Sequence, residues 1–395
     1  MTTHKKSKVF GLVLSFGALA RMPKSAKSKS ARARARARNA AAVPGDACCW
    51  VCQEGPSELE DPGPLSHGGC ACRGTAGFVH FKCLLQAAAA DEGTWGECPT
   101  CRTGWSGDIK LRLTRAHGSK LKGRAAGDRE RLVAGLDLVA ALGENGHLGE
   151  AIDMARDNLA IARKSLAPDD LVAHQTAAAL ATVQLRMQDY LSAAVLFEEM
   201  LPVMRRRCVG DLQEMFLQSL LKSAAALQEL GDARSAVSCC EETIRRCKAL
   251  GPPGAVLGRA AVETLAGVHR STGDYDLALP LMKQVMKGNR QVFGPAHPTT
   301  LVSIGNLGTL LSTMGEMTAA DPLLRSASDG LGAALGAEHP NARHFCSCVL
   351  PWGRAPTPHT RAPEKCSEFA CPCARLSACH KRCVIPLFVV LGLGI

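Results

Sequence analysis

The stretch HPTTLVSIGNLGTLLSTMGEMTAADPLL runs from His297 to Leu324. Ile304, Leu307, Leu310 and Leu311 return at helical spacing, Gly315 interrupts them, and Leu323, Leu324 and Ala327 resume the pattern. The spacing predicts two helices joined by a turn, with the glycine ending the first. The unit recurs along the chain: the turns ENGHLGEA, RMQDYLSAA, ELGDARSA, STGDYDLA and TMGEMTAA follow one another at nearly constant spacing. Ala194, Ala236, Ala278 and Ala320 stand 42 residues apart, and Ala151 lies 43 before the first of them. Gly231, Gly273 and Gly315 keep the same period, Asp189 takes the glycine's place one unit earlier, and His297-Pro298 returns as His339-Pro340. The alanine falls where the second helix must cross the first, so only a small side chain fits. One such unit cannot bury its apolar face alone, so the repeat predicts a stacked α-solenoid and a mostly α protein.

These units resemble tetratricopeptide repeats of the longer type found in kinesin light chains. The His-Pro start, Thr-Leu, Asn-Leu, mid-turn glycine and Ala-x-x-Leu of 297–324 carry the resemblance. It covers about five repeats over residues 129–340 and implies an array that binds peptides or partner proteins and has no chemistry of its own.

The chemistry-bearing residues lie elsewhere. Between 49 and 101 soft ligands fall in four pairs, Cys49-x2-Cys52, Cys70-x-Cys72, His80-x2-Cys83 and Cys98-x2-Cys101. A pair at this spacing puts both side chains on one metal while the backbone between them turns tightly. Eight ligands suffice for two closed tetrahedral sites, and thiolates favour zinc over magnesium or calcium. A domain of residues 45–106 has little core, so metal would supply much of its folding free energy. Cys48 reads as a spare thiol and His67 as a solvated loop residue.

The full spacing, C-x2-C-x17-C-x-C-x7-H-x2-C-x14-C-x2-C, resembles the RING-CH family of ubiquitin ligases, as do the words CWVCQEG, CACRGTAGFVHFKCL and WGECPTC. The resemblance implies interlocked sites, with Cys49, Cys52, His80 and Cys83 on one zinc and Cys70, Cys72, Cys98 and Cys101 on the other. It implies contact with a ubiquitin-conjugating enzyme through Val51, Trp95 and Pro99, and with ubiquitin through Arg102. It implies no covalent intermediate: such a domain orients a charged conjugating enzyme so that a substrate lysine attacks faster. Where the family often carries tryptophan this chain has Ala87. The PHD finger, a histone-tail reader with the same ligand order, has a shorter spacer before its histidine and is the rival zinc reading. A non-enzymatic scaffold in which both halves only bind proteins is the rival in function.

Composition bounds the remainder. The chain has 395 residues, 46% hydrophobic but only 4% aromatic, so its core is built from Leu, Ala, Val and Met. Its net charge is +11, yet residues 1–40 alone hold eleven Lys/Arg and no acid. The basic character therefore belongs to a tail, and a folded nucleic-acid-binding face is not expected. Nineteen cysteines, absent from 102 to 207, argue against a secreted disulfide framework and for a reducing cytoplasmic or nuclear compartment. Residues 1–44 read as a basic disordered segment. The alternatives are a secretory signal over 1–20, since Lys5, Lys6 and Lys8 precede the apolar run Val9 to Ala20, or a transit peptide over 1–40, since a stretch rich in Ser, Ala and Arg follows. Residues 107–128 read as a linker. Residues 341–395 read as a disordered Cys-rich tail whose Cys371-x-Cys373-x6-His380-x2-Cys383 echoes the central zinc-ligand run. No stretch is apolar for long enough to cross a membrane.

Overall fold

The computed structural model describes residues 47–55, 64–67, 69–72, 77–208, 213–336 and 340–349. The expectations for 1–44, and for the Cys371 to Cys383 run, lie outside these residues. Contacts divide the chain into two units, one of Met1–His67 with Cys72–Leu84, the other of Gly68–Ala71 with everything from Leu85 onward.

The first unit is built on a short hairpin. Strand β1 (Leu65–His67) pairs antiparallel with β2 (Phe78–His80), Leu65 opposite His80. Leu65, Phe78 and Val79 are buried, and the Trp50 amide donates to Phe78 O at 3.1 Å. Helix α1 (Phe81–Ala90) follows β2 without a break and buries Leu84 and Ala88, one turn apart.

The second unit is mainly helical; ahead of its long helices it holds a 3-10 turn at Glu92–Trp95 and a loop up to Ser106 in which Glu97 bridges Gly104. Helix α2 spans Gly107–Lys120. Five helix pairs follow: α3 (Arg129–Glu144) with α4 (Leu148–Ser165), α5 (Leu171–Arg186) with α6 (Tyr190–Arg207), α7 (Gln213–Glu229) with α8 (Ala233–Leu250), α9 (Ala255–Thr272) with α10 (Tyr275–Phe293), and α11 (Pro298–Thr313) with α12 (Met317–Leu335). A last helix, α13 (Pro340–Val349), packs on α12. Each helix touches its neighbour in sequence, and the pairs stack into an α-solenoid. The capping follows the sequence. Asp170 Oδ1 accepts from the Val172 amide at 2.8 Å to open α5, and His297 with Pro298 opens α11, its Nδ1 facing the Thr299 amide at 3.2 Å.

Four expectations need correction. In the second pair the left-handed residue that ends the first helix is Gln188 (φ 64°), in line with Gly146, Gly231, Gly273 and Gly315. Asp189 instead caps α6, accepting from the Ser192 amide at 3.2 Å. The same one-residue shift makes Ala193, fully buried like Ala151, Ala236, Ala278 and Ala320, the small residue at the crossing, while Ala194 is only partly buried. Turn glycine and crossing alanine move together because the second helix begins at a fixed distance from the left-handed residue.

The stretch 107–128, expected as a linker, opens with fourteen residues of helix in α2. Ile109, Leu111 and Leu113 are buried, Lys110 Nζ meets Glu144 Oε1 at 2.7 Å, and Asn145 Nδ2 donates to Gly107 O at 3.2 Å. The solenoid, expected to end at 340 before a disordered tail, continues into α13, whose Phe345 is fully buried. Gly305 makes room for it: a Cβ there would lie 2.4 Å from the Phe345 ring.

Candidate metal centre

The backbone gathers the eight pair residues into two groups of four. Cys49, Cys52, His80 and Cys83 form one group, and Cys70, Cys72, Cys98 and Cys101 the other, with all ligand atoms of a group within 4.8 Å of one another. The pairs alternate: the first joins the third, and the second joins the fourth.

Two of the pairs are built alike. In Cys49–Glu54 the Gln53 amide donates to Cys49 O at 2.8 Å and the Cys49 amide to Glu54 O at 2.8 Å. In Cys98–Thr103 the Arg102 amide donates to Cys98 O at 2.9 Å and the Cys98 amide to Thr103 O at 2.9 Å. Gln53 (φ 67°) and Arg102 (φ 57°) are both left-handed, so each loop folds back just after its second cysteine. The third pair sits on the β2–α1 junction. His80 ends the strand and Cys83 lies in the first helical turn, which brings both side chains to one side.

Hydrogen bonds orient the first group. His80 Nδ1 faces Cys52 Sγ at 3.3 Å and Cys83 Sγ at 3.9 Å, while Nε2 lies 3.1 Å from Gly55 O. With Nε2–H donating to that carbonyl, Nδ1 carries the lone pair and points at the sulfurs. Cys49 is fully buried, and burial alone would raise its pKa. The amides of Cys52, His80 and Val51 outweigh that and lower it, with the Val51 and His80 amides each 3.4 Å from Sγ. Cys83 is pushed up to about 12 by burial and then by the neighbouring Cys52 and Cys49 thiols. A cluster of thiols this close holds a proton back unless a cation replaces it.

The donors fit a metal. Sulfurs around a tetrahedral zinc with bonds of about 2.3 Å lie about 3.8 Å apart, and the observed donors fall within 4.8 Å. Three thiols with one imidazole, and four thiols, are both soft-donor sets that suit tetrahedral ions.

The second C-x2-C loop rests on a tryptophan. Trp105 is buried, and its Nε1 donates to Thr94 O at 2.8 Å. Thr94 in turn donates to Asp91 Oδ2 at 3.0 Å. Sequence reasoning missed this residue, although a tryptophan four positions beyond the last ligand was a visible signal.

The remaining sequence-derived site residues lie as follows. Val51 lies within the first loop and is 37% exposed. Pro99 is half-buried, and Arg102 is exposed with Nη1 3.2 Å from Glu97 Oε1. Trp95 is half-buried, its ring stacked on His117 and 5.6 Å from Lys120 Nζ. Trp95 Nε1 has no hydrogen-bond partner among the described residues. Among those residues no helix is long and apolar enough to cross a membrane.

Comparison with known proteins covers both parts of the chain. Residues 49–101 match the RING-variant domain family, and residues 256–331 match the tetratricopeptide repeat family. Among solved structures, a kinesin-light-chain protein of Podosopora anserina with nearly identical TPR-like repeats is 20% identical, over 53% of this chain and 98% of its own, at a TM-score of 0.44. BtubC (BKLC) from P. vanneervenii is 17% identical, over 64% of this chain and 98% of its own, at a TM-score of 0.46. No curated protein matches the chain.

Proposed function

We propose that this chain, which carries a RING-variant domain followed by tetratricopeptide repeats, is an E3 ubiquitin ligase of the RING type. The observation that supports this most is the alternation of the two donor groups along 49–101, which coincides with the RING-variant match. Two zinc ions are the proposed occupants, and their contribution is structural: they tie the loops of a small domain together and supply folding free energy. No nucleophile is needed. The domain binds a ubiquitin-charged conjugating enzyme and holds its thioester for attack by a substrate lysine, so the gain is orientation. Val51, Trp95 and Pro99 are the proposed contacts to the conjugating enzyme, and Arg102 the proposed contact to ubiquitin. The repeats recruit the substrate or an adaptor protein.

The test is discharge of ubiquitin from a panel of charged conjugating enzymes onto free lysine, with and without the protein and with and without a zinc chelator. Acceleration that chelation abolishes supports the ligase. If no conjugating enzyme responds, the protein is a binding scaffold.

A further inference from the structure

Helix α13 (Pro340–Val349) carries a histidine and a cysteine one turn apart, His344 and Cys348, which therefore share a side of the helix. His344 Nε2 lies 3.8 Å from Cys348 Sγ. The first donor group gives the comparison: there His80 Nδ1 lies 3.3 Å from Cys52 Sγ and 3.9 Å from Cys83 Sγ. A tetrahedral zinc with bonds of about 2.0 Å to nitrogen and about 2.3 Å to sulfur puts the two donors about 3.6 Å apart. The spacing on α13 is thus that of two ligands of one ion.

The helix holds this pair in place. Phe345 is fully buried and anchors α13, and its ring meets the His344 ring edge-on, centroids 5.2 Å apart and planes 75° from parallel. His344 and Cys348 are themselves only partly buried, which leaves room for further ligands to approach. Burial, and then the charge of Arg270, lower the His344 pKa to about 4, so the imidazole is neutral and keeps a lone pair for a metal.

Two ligands do not close a tetrahedral site. Residues 350–395 contain two further pairs at ligand spacing, Cys371-x-Cys373 and His380-x2-Cys383. Charge chooses between them, because Arg270 acts on His344 and disfavours a positive site there. With Cys371 and Cys373 a divalent ion has three thiolates and the site is negative. With His380 and Cys383 it has two, and the site is neutral. Three thiols and one imidazole are also the donor set of Cys49, Cys52, His80 and Cys83. The Cys371 pair is the nearer to α13 as well, so it closes the shorter loop.

We propose that His344 and Cys348 of α13 bind a third zinc ion together with Cys371 and Cys373. The site ties the chain that follows the repeats back onto α13. Its role is structural, since four protein ligands leave no open position for water or substrate.

The test uses the full chain in reducing buffer that contains zinc, so that no disulfide forms. Native mass spectrometry should count one ion fewer in Cys371→Ser/Cys373→Ser, and in His344→Ala/Cys348→Ser, than in the wild type. Alkylation with N-ethylmaleimide followed by peptide mapping reads the ligands. With free zinc at about a hundred times Kd, Cys348 should label about a hundredfold faster in Cys371→Ser/Cys373→Ser than in the wild type. Cys346, on another side of α13, should label at the same rate in both. The Cys371→Ser/Cys373→Ser substitutions leave α13 itself unaltered, so they decide the matter if the helix variant fails to fold. An unchanged ion count in that variant, unchanged labelling of Cys348, or equal acceleration at Cys346 overturns the proposal. Loss of the ion in His380→Ala/Cys383→Ser, with its retention in Cys371→Ser/Cys373→Ser, overturns it too. Both readouts are differences between variants and neither involves a conjugating enzyme, so failure of the ligase reading leaves the result standing.

Discussion

The indole of Trp95 stacks on the imidazole of His117, ring centroids 4.9 Å apart and planes 14° from parallel. Trp95 ends the 3-10 turn before Cys98, and His117 lies in the last turn of α2. The ring proposed to meet a conjugating enzyme therefore also holds the second C-x2-C loop to the helix that leads into the repeats. Lys120 adds to this contact, 5.6 Å from the indole centroid and 3.2 Å from Glu92. Trp95→Ala should lower stability as well as any enzyme contact, and a Trp95→Ala/His117→Ala double-mutant cycle should show coupling of about 1 kcal/mol. Burial lowers the His117 pKa, so the unfolded chain takes up this proton more readily than the folded one. Stability should fall as pH drops below about 6.5, the unfolded value, and level off below the folded one. His117→Phe should flatten that part of the curve, as read by thermal melts across pH.

Metal content is the second expectation. Native mass spectrometry of the full chain should find at least two zinc ions, and one or none would sink the interlocked arrangement. His80→Ala should lose the first ion and weaken the second, because the four pairs alternate on one short backbone. A chelator should unfold 49–101 and leave most of the far-ultraviolet helical signal, since the long helices α3 to α12 contain none of these ligands.

Glu263 supplies a pH test within the repeats. It is buried on α9, and Asn306 Nδ2 of α11 donates to its Oε1 at 2.7 Å. Burial dominates and raises its pKa to about 7 from an ordinary 4.5, with Asn306 pulling the other way. The folded value lies above the unfolded one. The stabilising contribution is therefore complete below the unfolded value and is lost as pH rises through about 7. The loss amounts to about 3 kcal/mol at most. Glu263→Gln should raise the melting temperature at pH 8 and have little effect at pH 4.

The repeats were legible because a period of 42 residues repeats turn and crossing together. The period is not strictly constant: at the second pair the left-handed Gln188, a non-glycine, ends the helix one residue before Asp189. The eight donors were legible because metal spacing is local. Which imidazole nitrogen faces the sulfurs was not, since that depends on Gly55 O, brought across from another loop. Helix α2 was hidden by its Gly- and Lys-rich end and by apolar residues spaced two apart: Leu111 is buried in the core that includes Leu138 and Leu142, while Ile109 and Leu113, one turn apart, are buried on another side of the helix.

The end of the solenoid can be tested through Phe345. Phe345→Ala should cost about 3–5 kcal/mol, as a large buried ring leaves a cavity. Gly305→Ala should also destabilise, since its Cβ would fall 2.4 Å from that ring. Combining the two should cost less than their sum, because the smaller residue at 345 removes the clash. Denaturant melts of 107–349 and its variants would show this, and additive costs would mean that α13 does not pack on α11 through these residues.

Val51, Pro99 and Arg102 separate the steps of the proposed transfer. Val51 is exposed within the first loop, and its side chain is not a ligand, so Val51→Ala should keep both zincs. An apolar anchor in a small interface contributes about 2 kcal/mol. Val51→Ala should therefore weaken conjugating-enzyme binding about thirtyfold. Pro99→Ala should behave similarly, with a small added cost from loosening the second loop. Arg102 is different. Its backbone is left-handed whatever its side chain, and its guanidinium is exposed next to Glu97. Arg102→Ala keeps the Cβ and so leaves the backbone strain as it is, reading the side chain alone. Conjugating-enzyme binding should persist while discharge onto lysine slows, because the proposed contact is with ubiquitin in the reactive arrangement. Removing 129–349 should spare discharge onto free lysine and abolish only modification of a recruited protein. Discharge that is unaffected by all three substitutions would reject this surface, even if the zinc sites form as described.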